Sequence, residues 1–182
     1  KYADLNGDNV ITADDQDWIY NPVPAFSYGI NIGLTYKDFD LSMFWQGVCD
    51  KDVYNNQKFQ TDFWAVTDAG SNKGSRLLDA WNTNNTDSNI PRLSTTNTAD
   101  EGRASSYFVE NGSYLKLRTL QLGYTVPSSI LSKLKMTSAR VYLSGQNLLT
   151  IKSSSLTCPD PENPDWNYPL STSISFGLQL SF

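Results

Sequence analysis

Asp4, Asn6 and Asp8 alternate near the start of the chain, with Val10 and Asp15 following. Short oxygen-bearing side chains at every second position, closed by a further carboxylate, can wrap one hard cation. Such a cation collects about six to eight oxygens from carboxylates, amides and backbone carbonyls. In a twelve-residue loop of this kind Asp4, Asn6 and Asp8 take the first, third and fifth positions. Val10 offers its carbonyl at the seventh and Asp15 closes the ring at the twelfth. The expected cation is Ca2+. Asn9 stands where such loops carry glycine, a substitution that asparagine's ease in the left-handed region accommodates. Asp15 has a shorter arm than the customary glutamate and would bind through one oxygen. Ile11 suits the apolar eighth position, and Thr12 with Asp15 predicts an N-cap for a short helix through Trp18. The alternative is an Asx-rich turn that closes without metal.

Other residues that could do chemistry are sparser. The chain has no His, which removes Ser-His-Asp and Cys-His catalysis and the commonest zinc ligand. Asp79 and Asp87 could serve as paired acids, although nothing in the sequence sets them across a bond, and a polar loop surface is the simpler account. No enzyme is expected. A formal net charge of −5 with only 14 Lys plus Arg argues against nucleic acid. Segment 51–106 carries Tyr54, Phe59, Phe63, Trp64 and Trp81 among Asn, Asp, Ser and Thr. Aromatic faces stack on sugar rings while amides satisfy hydroxyls, so Tyr54, Trp64 and Trp81 are candidate solute contacts. The competing account has these rings packing a long loop onto itself. Cys49 and Cys158 are a candidate disulfide, permitted by an exported compartment, against two free thiols.

These residues must be positioned by strands. Ile174, Phe176, Leu178, Leu180 and Phe182 alternate with Ser175, Gly177, Gln179 and Ser181. That period of two gives one apolar and one polar face, as in a barrel wall with lipid outside and a hydrated lumen inside. Eleven residues rising about 3.3 Å each, tilted about 45°, cover roughly 25 Å of membrane. The same pattern predicts strands at 26–36, 39–48, 107–124 and 139–147 besides 172–182. Lys37-Asp38 makes a tight turn, and a bulge near Arg118-Thr119 reconciles Leu115 and Leu117 with Leu120, Leu122 and Tyr124. With the chain end on the inner side, the short connections fall inside and the long segments 51–106 and 149–171 fall outside, as in bacterial outer-membrane barrels. Pro127, Ser128 and Ser129 predict a helical turn or two within 125–137. Residues 1–20 form a separate calcium loop, and 21–182 the strands and their loops. Five strands cannot close, so they are expected to complete a larger chain of which this sequence, beginning at Lys1, is a processed form or fragment.

Together the motifs are similar to one family. Asp4-Leu5-Asn6-Gly7-Asp8, which also resembles EF-hand and dockerin loops, precedes Asn21-Pro22-Val23-Pro24, Tyr28-Gly29 and the Tyr36-to-Ser42 hairpin. Then come Gln46-Gly47, Val109-to-Arg118, Gly123-Tyr124, Gly145-Gln146-Asn147-Leu148 and Tyr168-Pro169-Leu170. In this order they resemble the carboxy-terminal part of SusC/RagA-type TonB-dependent outer-membrane transporters. The resemblance implies an all-β barrel of about 22 strands with an amino-terminal plug. It implies a bacterial outer-membrane location, a SusD-like surface lipoprotein as a lid, TonB contact through an amino-terminal part not present here, and import of oligosaccharides or peptides. Tyr54, Trp64 and Trp81 could then touch the lid as readily as the solute. The competing class is a soluble extracellular carbohydrate-binding β-sandwich with a calcium loop, in which the apolar faces would meet a second sheet. A third is a non-transporting structural or adhesive barrel.

Overall fold

The computed structural model describes residues 2–63, 72–97, 102–165 and 167–182. Five strands form one antiparallel sheet in the order β1 (Phe26–Tyr36), β2 (Phe39–Cys49), β5 (Tyr114–Thr125), β6 (Ser138–Lys152) and β7 (Ser173–Ser181). Every strand pairs with the next spanning strand in sequence, so the sheet is a meander. Lys37 takes the positive φ that the two-residue β1–β2 turn demands, at φ 54°. A seven-residue helix, α2 (Ser128–Leu134), fills the β5–β6 connection and ends on Lys135 in the left-handed conformation.

Register decides which side chains share a face. The row Ile32↔Met43↔Leu120↔Gly145↔Ile174 crosses all five strands, as does Leu34↔Leu41↔Leu122↔Leu143↔Phe176. Beyond Thr119 the pairing shifts, with Trp45 opposite Leu117 and Leu117 opposite Leu149. Arg118 is the extra residue of β5, and Asn147 and Leu148 together answer it on β6. An unbulged β5 would turn Leu115 and Leu117 to the polar face. The slip expected near Arg118-Thr119 is therefore a real bulge. It also lengthens β6, expected to end at 147. Asn147, with φ 52°, absorbs the kink, and Leu149 and Ile151 rejoin the apolar face. The following connection accordingly begins at Ser153 instead of 149.

The segment expected as one strand over 107–124 is divided. Strands β3 (Asp52–Tyr54) and β4 (Val109–Asn111) pair as a separate two-stranded ribbon continuing β2 and β5. At the joint Asp50 is left-handed, Asn111 accepts from the Ser113 N–H at 2.9 Å, and Gly112 donates to the Lys51 carbonyl at 2.7 Å. Both chains turn at the same level, which breaks the ladder.

Among the described residues the other sheet is the two-stranded ribbon that continues β2 and β5. Ile174 and Phe176 remain 69% and 72% exposed to whatever surrounds the molecule. Buried apolar residues gather at the ribbon and its connections, with Val53, Phe63, Leu77, Phe108, Leu156 and Cys158, while Val48, Tyr114 and Leu117 are buried in the adjoining end of the sheet. On the polar face Arg140 of β6 reaches over Gly123 to Asp40 of β2, with bonds of 3.1 and 2.5 Å to its two carboxylate oxygens. A β-carbon at Gly123 would collide with both partners, so only glycine lets this pair form across the intervening strand.

Two adjacent residues of β1 test the facing. Ile32→Arg puts a charge on the apolar face at mid-height and should lower stability in a bilayer by about 2–4 kcal/mol. Asn31→Arg, on the polar face, should cost well under half of that, measured by urea unfolding of the full-length protein in liposomes.

Candidate functional site at the outer rim

The two long connections, between β2 and β5 and between β6 and β7, meet beyond one end of the sheet. The first holds a short helix, α1 (Asn56–Asp62), capped by the Asn55 side chain, which accepts from the Lys58 N–H at 3.0 Å. Phe108, fully buried, anchors this connection. Its ring meets Tyr54, Phe59, Phe63 and Tyr107 at centroid distances of 5.3–5.5 Å, in tilted and edge-on geometries that favour aromatic pairs.

Two balanced sets of charges surround that core. In the first, the Asn55 amide donates 2.9 Å to Glu110, the Thr157 N–H donates 2.8 Å to it, and the Thr157 hydroxyl donates 2.9 Å. Lys58 lies 3.6 Å from the same carboxylate, Arg76 3.3 Å from Asp62, and the Tyr107 hydroxyl donates 2.7 Å to Asp62. Burial holds the Lys58 ammonium below its usual range despite the neighbouring carboxylates, and burial with the Asp62 bond pushes the Tyr107 phenol well up.

The second set sits where β5 leaves the sheet. Lys116, with a side chain only 2% exposed, donates to Asp160 at 2.7 Å and to Glu162 at 2.6 Å. Arg118, re-aimed by its bulge, pairs with Glu162, and its Nε donates 2.7 Å to Gln46. Tyr114 donates 2.7 Å to Glu162. Burial raises both carboxyls, but for Asp160 the Lys116 ammonium and the N–H groups of Glu162 and Leu170 outweigh it. For Glu162 the bonds from Lys116, Tyr114 and Arg118 do the same, and both groups sit below the usual carboxylate range. Among the described residues every buried side-chain nitrogen and oxygen has a partner. This arrangement fixes loops in place.

Tyr54 lies in β3, its ring between those of Tyr20 and Phe108 at 6.2 and 5.4 Å. Trp81 is 37% exposed and its backbone N–H donates to the Ile90 carbonyl at 2.9 Å. Trp64 lies outside the described residues. A pocket lined by Gln16, Asp17, Trp18, Ile19, Tyr20 and Pro22 contains neither Tyr54 nor Trp81. Cys49 and Cys158 are both free thiols. Cys49 ends β2, while Cys158 is buried with Val53 and Leu156 and donates to the Asp160 carbonyl at 3.4 Å, so the bridge does not form. Asp79 holds the amide of Asn85 at 2.8 Å and stabilises its own loop.

The first loop is drawn together around its acids. Asp4 accepts from the N–H groups of Gly7 and Asn9 at 2.6 and 2.7 Å, Asn6 from Asp8 at 2.9 Å, and Asp8 from Val10 at 2.8 Å. Asp15 folds back to accept from Leu5 and Thr12, both at 2.8 Å, and those bonds hold its carboxyl below the usual range. Gly7 and Asn9 take φ of 81° and 64°. The helix expected through Trp18 is a single 3-10 turn, Ala13–Asp15, capped by Thr12. The chain leaves Gln16 in an extended conformation, at φ −88° and ψ 135°. Among the described residues no three His, Cys, Asp or Glu side chains converge as a ready metal set. Asp4, Asp8 and Asp15 each spend their oxygens on N–H groups, yet a carboxylate oxygen has a second lone pair, so bonding to the backbone leaves these donors chemically able to ligate.

Lys116→Met leaves the buried Asp160 without its cation and the half-buried Glu162 with Arg118 alone, and should cost about 3–5 kcal/mol, whereas Lys133→Met on the exposed side of α2 should stay within about 0.5 kcal/mol in the same liposome unfolding assay. The depressed carboxyls also set an acid limit. Their contribution is complete above the ordinary values of 3.8 and 4.5 and is lost only as pH falls through the lower folded values. Pepsin should therefore leave the connection after β6 uncut at pH 4.5 and cleave it only in stronger acid.

No family model matches the chain. TonB-dependent receptor P3 of Formosa agariphila is 34% identical over 149 residues, covering 82% of this chain and 14% of the relative. TonB-dependent receptor P26 of the same organism is 31% identical over 199 residues, covering 100% of this chain and 19% of the relative. Among solved structures, the RagAB peptide importer in its open-open state superposes with a TM-score of 0.77 at 28% identity over 100% of this chain and 20% of that one. The structure of the RagAB peptide transporter gives 0.75 at 28% over 95% and 19%. The chain thus spans a fifth or less of the length of each relative, and those relatives are receptors and transporters, not enzymes.

Proposed function

Because the chain belongs to the TonB-dependent receptors of the SusC/RagA type, we propose that it supplies a section of wall and outer rim to an outer-membrane transporter that imports oligosaccharides or peptides. The carrying observation is the unbroken apolar face: five strands hold their large apolar side chains in register, with amides, hydroxyls and the Asp40–Arg140 pair on the other side. A wall of that kind separates hydrocarbon from a hydrated passage. Likeness to a peptide importer favours peptides as the solute. A surface lipoprotein of the SusD type is the proposed lid, and TonB the proposed source of energy through parts of the protein outside these residues.

The test is growth of a strain deleted for the whole gene, on peptides or on oligosaccharides as the limiting nutrient. Loss of growth on peptides alone, restored by the intact gene, is the expected result. Unchanged growth and uptake on both would contradict the assignment.

The first loop is proposed to take Ca2+, with Asp4, Asn6, Asp8 and Asp15 giving side-chain oxygens and Val10 its carbonyl. The alternation of short oxygen donors and the fold-back of Asp15 across the loop support this. Calorimetric titration of the full-length protein in detergent should give one site in the micromolar-to-millimolar range. Asp4→Ala should weaken it at least tenfold, and absence of heat from the unsubstituted protein would leave the loop as an Asx-rich turn.

A further inference from the structure

We propose that residues 52–62 and 105–112 of the connection between β2 and β5 and residues 153–165 of the connection between β6 and β7 are locked into one rigid body, with Glu110 as the positioning residue that couples them, so that they form a fixed part of the rim and do not move as separate flaps. This deepens the transporter assignment and rests on it only for the word rim.

The connections are remote in sequence. One joins β2 to β5 and the other joins β6 to β7, with two spanning strands between them. Independent surface loops would make few contacts with each other. Here three separate tethers cross from one to the other. Glu110 is 7% exposed and its carboxylate takes both the N–H and the hydroxyl of Thr157, while the Asn55 amide bonds the same carboxylate from the first connection. Arg76 adds a bond to the Thr157 hydroxyl at 3.1 Å. At the start of α1, Asn56 bonds the Asp165 side chain and Gln57 its carbonyl, the latter at 2.8 Å. Between these points Val53 packs on Leu156 and Cys158. The second connection is then pinned to the wall itself by Lys116 and Arg118 through Asp160 and Glu162.

Charge bookkeeping favours a static joint. Lys58 and Arg76 balance Asp62 and Glu110; Lys116 and Arg118 balance Asp160 and Glu162. Separating the two connections would leave Glu110 without the Thr157 N–H and hydroxyl, and would expose Leu156 and Cys158. Groups satisfied this completely have no second arrangement on offer, and a moving flap needs one.

Hydrogen exchange of the full-length protein in detergent micelles, read by mass spectrometry, tests the coupling. Peptides spanning 52–62, 105–112 and 153–165 should be strongly protected, and equally so with and without a peptide solute. Glu110→Ala should speed exchange in 153–165 as well as in 52–62 by roughly tenfold or more, while the wall strand 114–125 stays protected. Acceleration confined to 105–112, or unequal protection of the two connections in the unsubstituted protein, would overturn the proposal. If Glu110→Ala does not fold, Thr157→Val removes the hydroxyl from the other side and must loosen both connections together for the coupling to stand. None of these readings requires transport, so failure of uptake and failure of the joint are told apart.

Discussion

A backbone that crosses hydrocarbon must pair every N–H and C=O with a neighbour, and a wall with oil on one side must also keep one kind of side chain on each face. The first demand makes the strands run as a continuous antiparallel ladder, since each unpaired group in lipid costs several kcal/mol. The second makes register absolute, because a slip of one residue reverses the faces. The bulge at Arg118 is where the two demands conflict and are reconciled. The ladder gives up a regular pair there, and in return Leu115, Leu117, Leu149 and Ile151 return to the face of Leu120, Leu122 and Val141. The displaced residue is then put to use, since Arg118 turns inward to Glu162, Gln46 and Asn147.

The same constraint explains where the core sits. A sheet that keeps one apolar face outward has little to bury within its own height, and apart from residues such as Val48, Tyr114 and Leu117 the chain's packed aromatic and aliphatic cluster forms in the ribbon and the loops. Those loops are polar in composition and owe their order to the fully buried ring of Phe108 and to charges paired around it. Buried ion pairs are poor sources of net stability but strong specifiers of one arrangement, because every alternative leaves a charge alone. That is the property a fixed rim requires.

Much of the wall was legible in the sequence. Period-two alternation named all five spanning segments, the Lys37-Asp38 turn and the bulge. The ends were less legible. Nothing in the residue pattern announces that Asn147 adopts a positive φ and lets β6 run on to Lys152, or that Asp50 and Gly112 break the ladder before β4. Strand 107–124 and loop 149–171 were misjudged for that reason. The rim was hidden almost entirely. Its partners are matched over distances such as Asn55 to Thr157 and Lys116 to Asp160, and pairings of that range leave no local period. The one available signal was Pro159-Asp160-Pro161-Glu162, two carboxylates on a stiffened chain, together with Lys116 and Arg118 in a strand otherwise rich in Leu. Tyr54, a candidate solute contact by residue type, packs on Phe108, which no local period marks out. The thiols of Cys49 and Cys158 stay apart because Cys158 is spent on the core that Val53 and Leu156 build.

The central claim is that the apolar face of β1–β2–β5–β6–β7 borders hydrocarbon. Single nitroxide labels placed in turn along residues 26–36 of the full-length protein in liposomes, with collision rates to oxygen and to a water-soluble nickel chelate, measure this directly. The account predicts strict alternation: oxygen-dominated relaxation at 26, 28, 30, 32, 34 and 36, and chelate-dominated relaxation at the positions between. Labels at the even positions that are shielded from both reagents would mean that protein covers this face, and would contradict it.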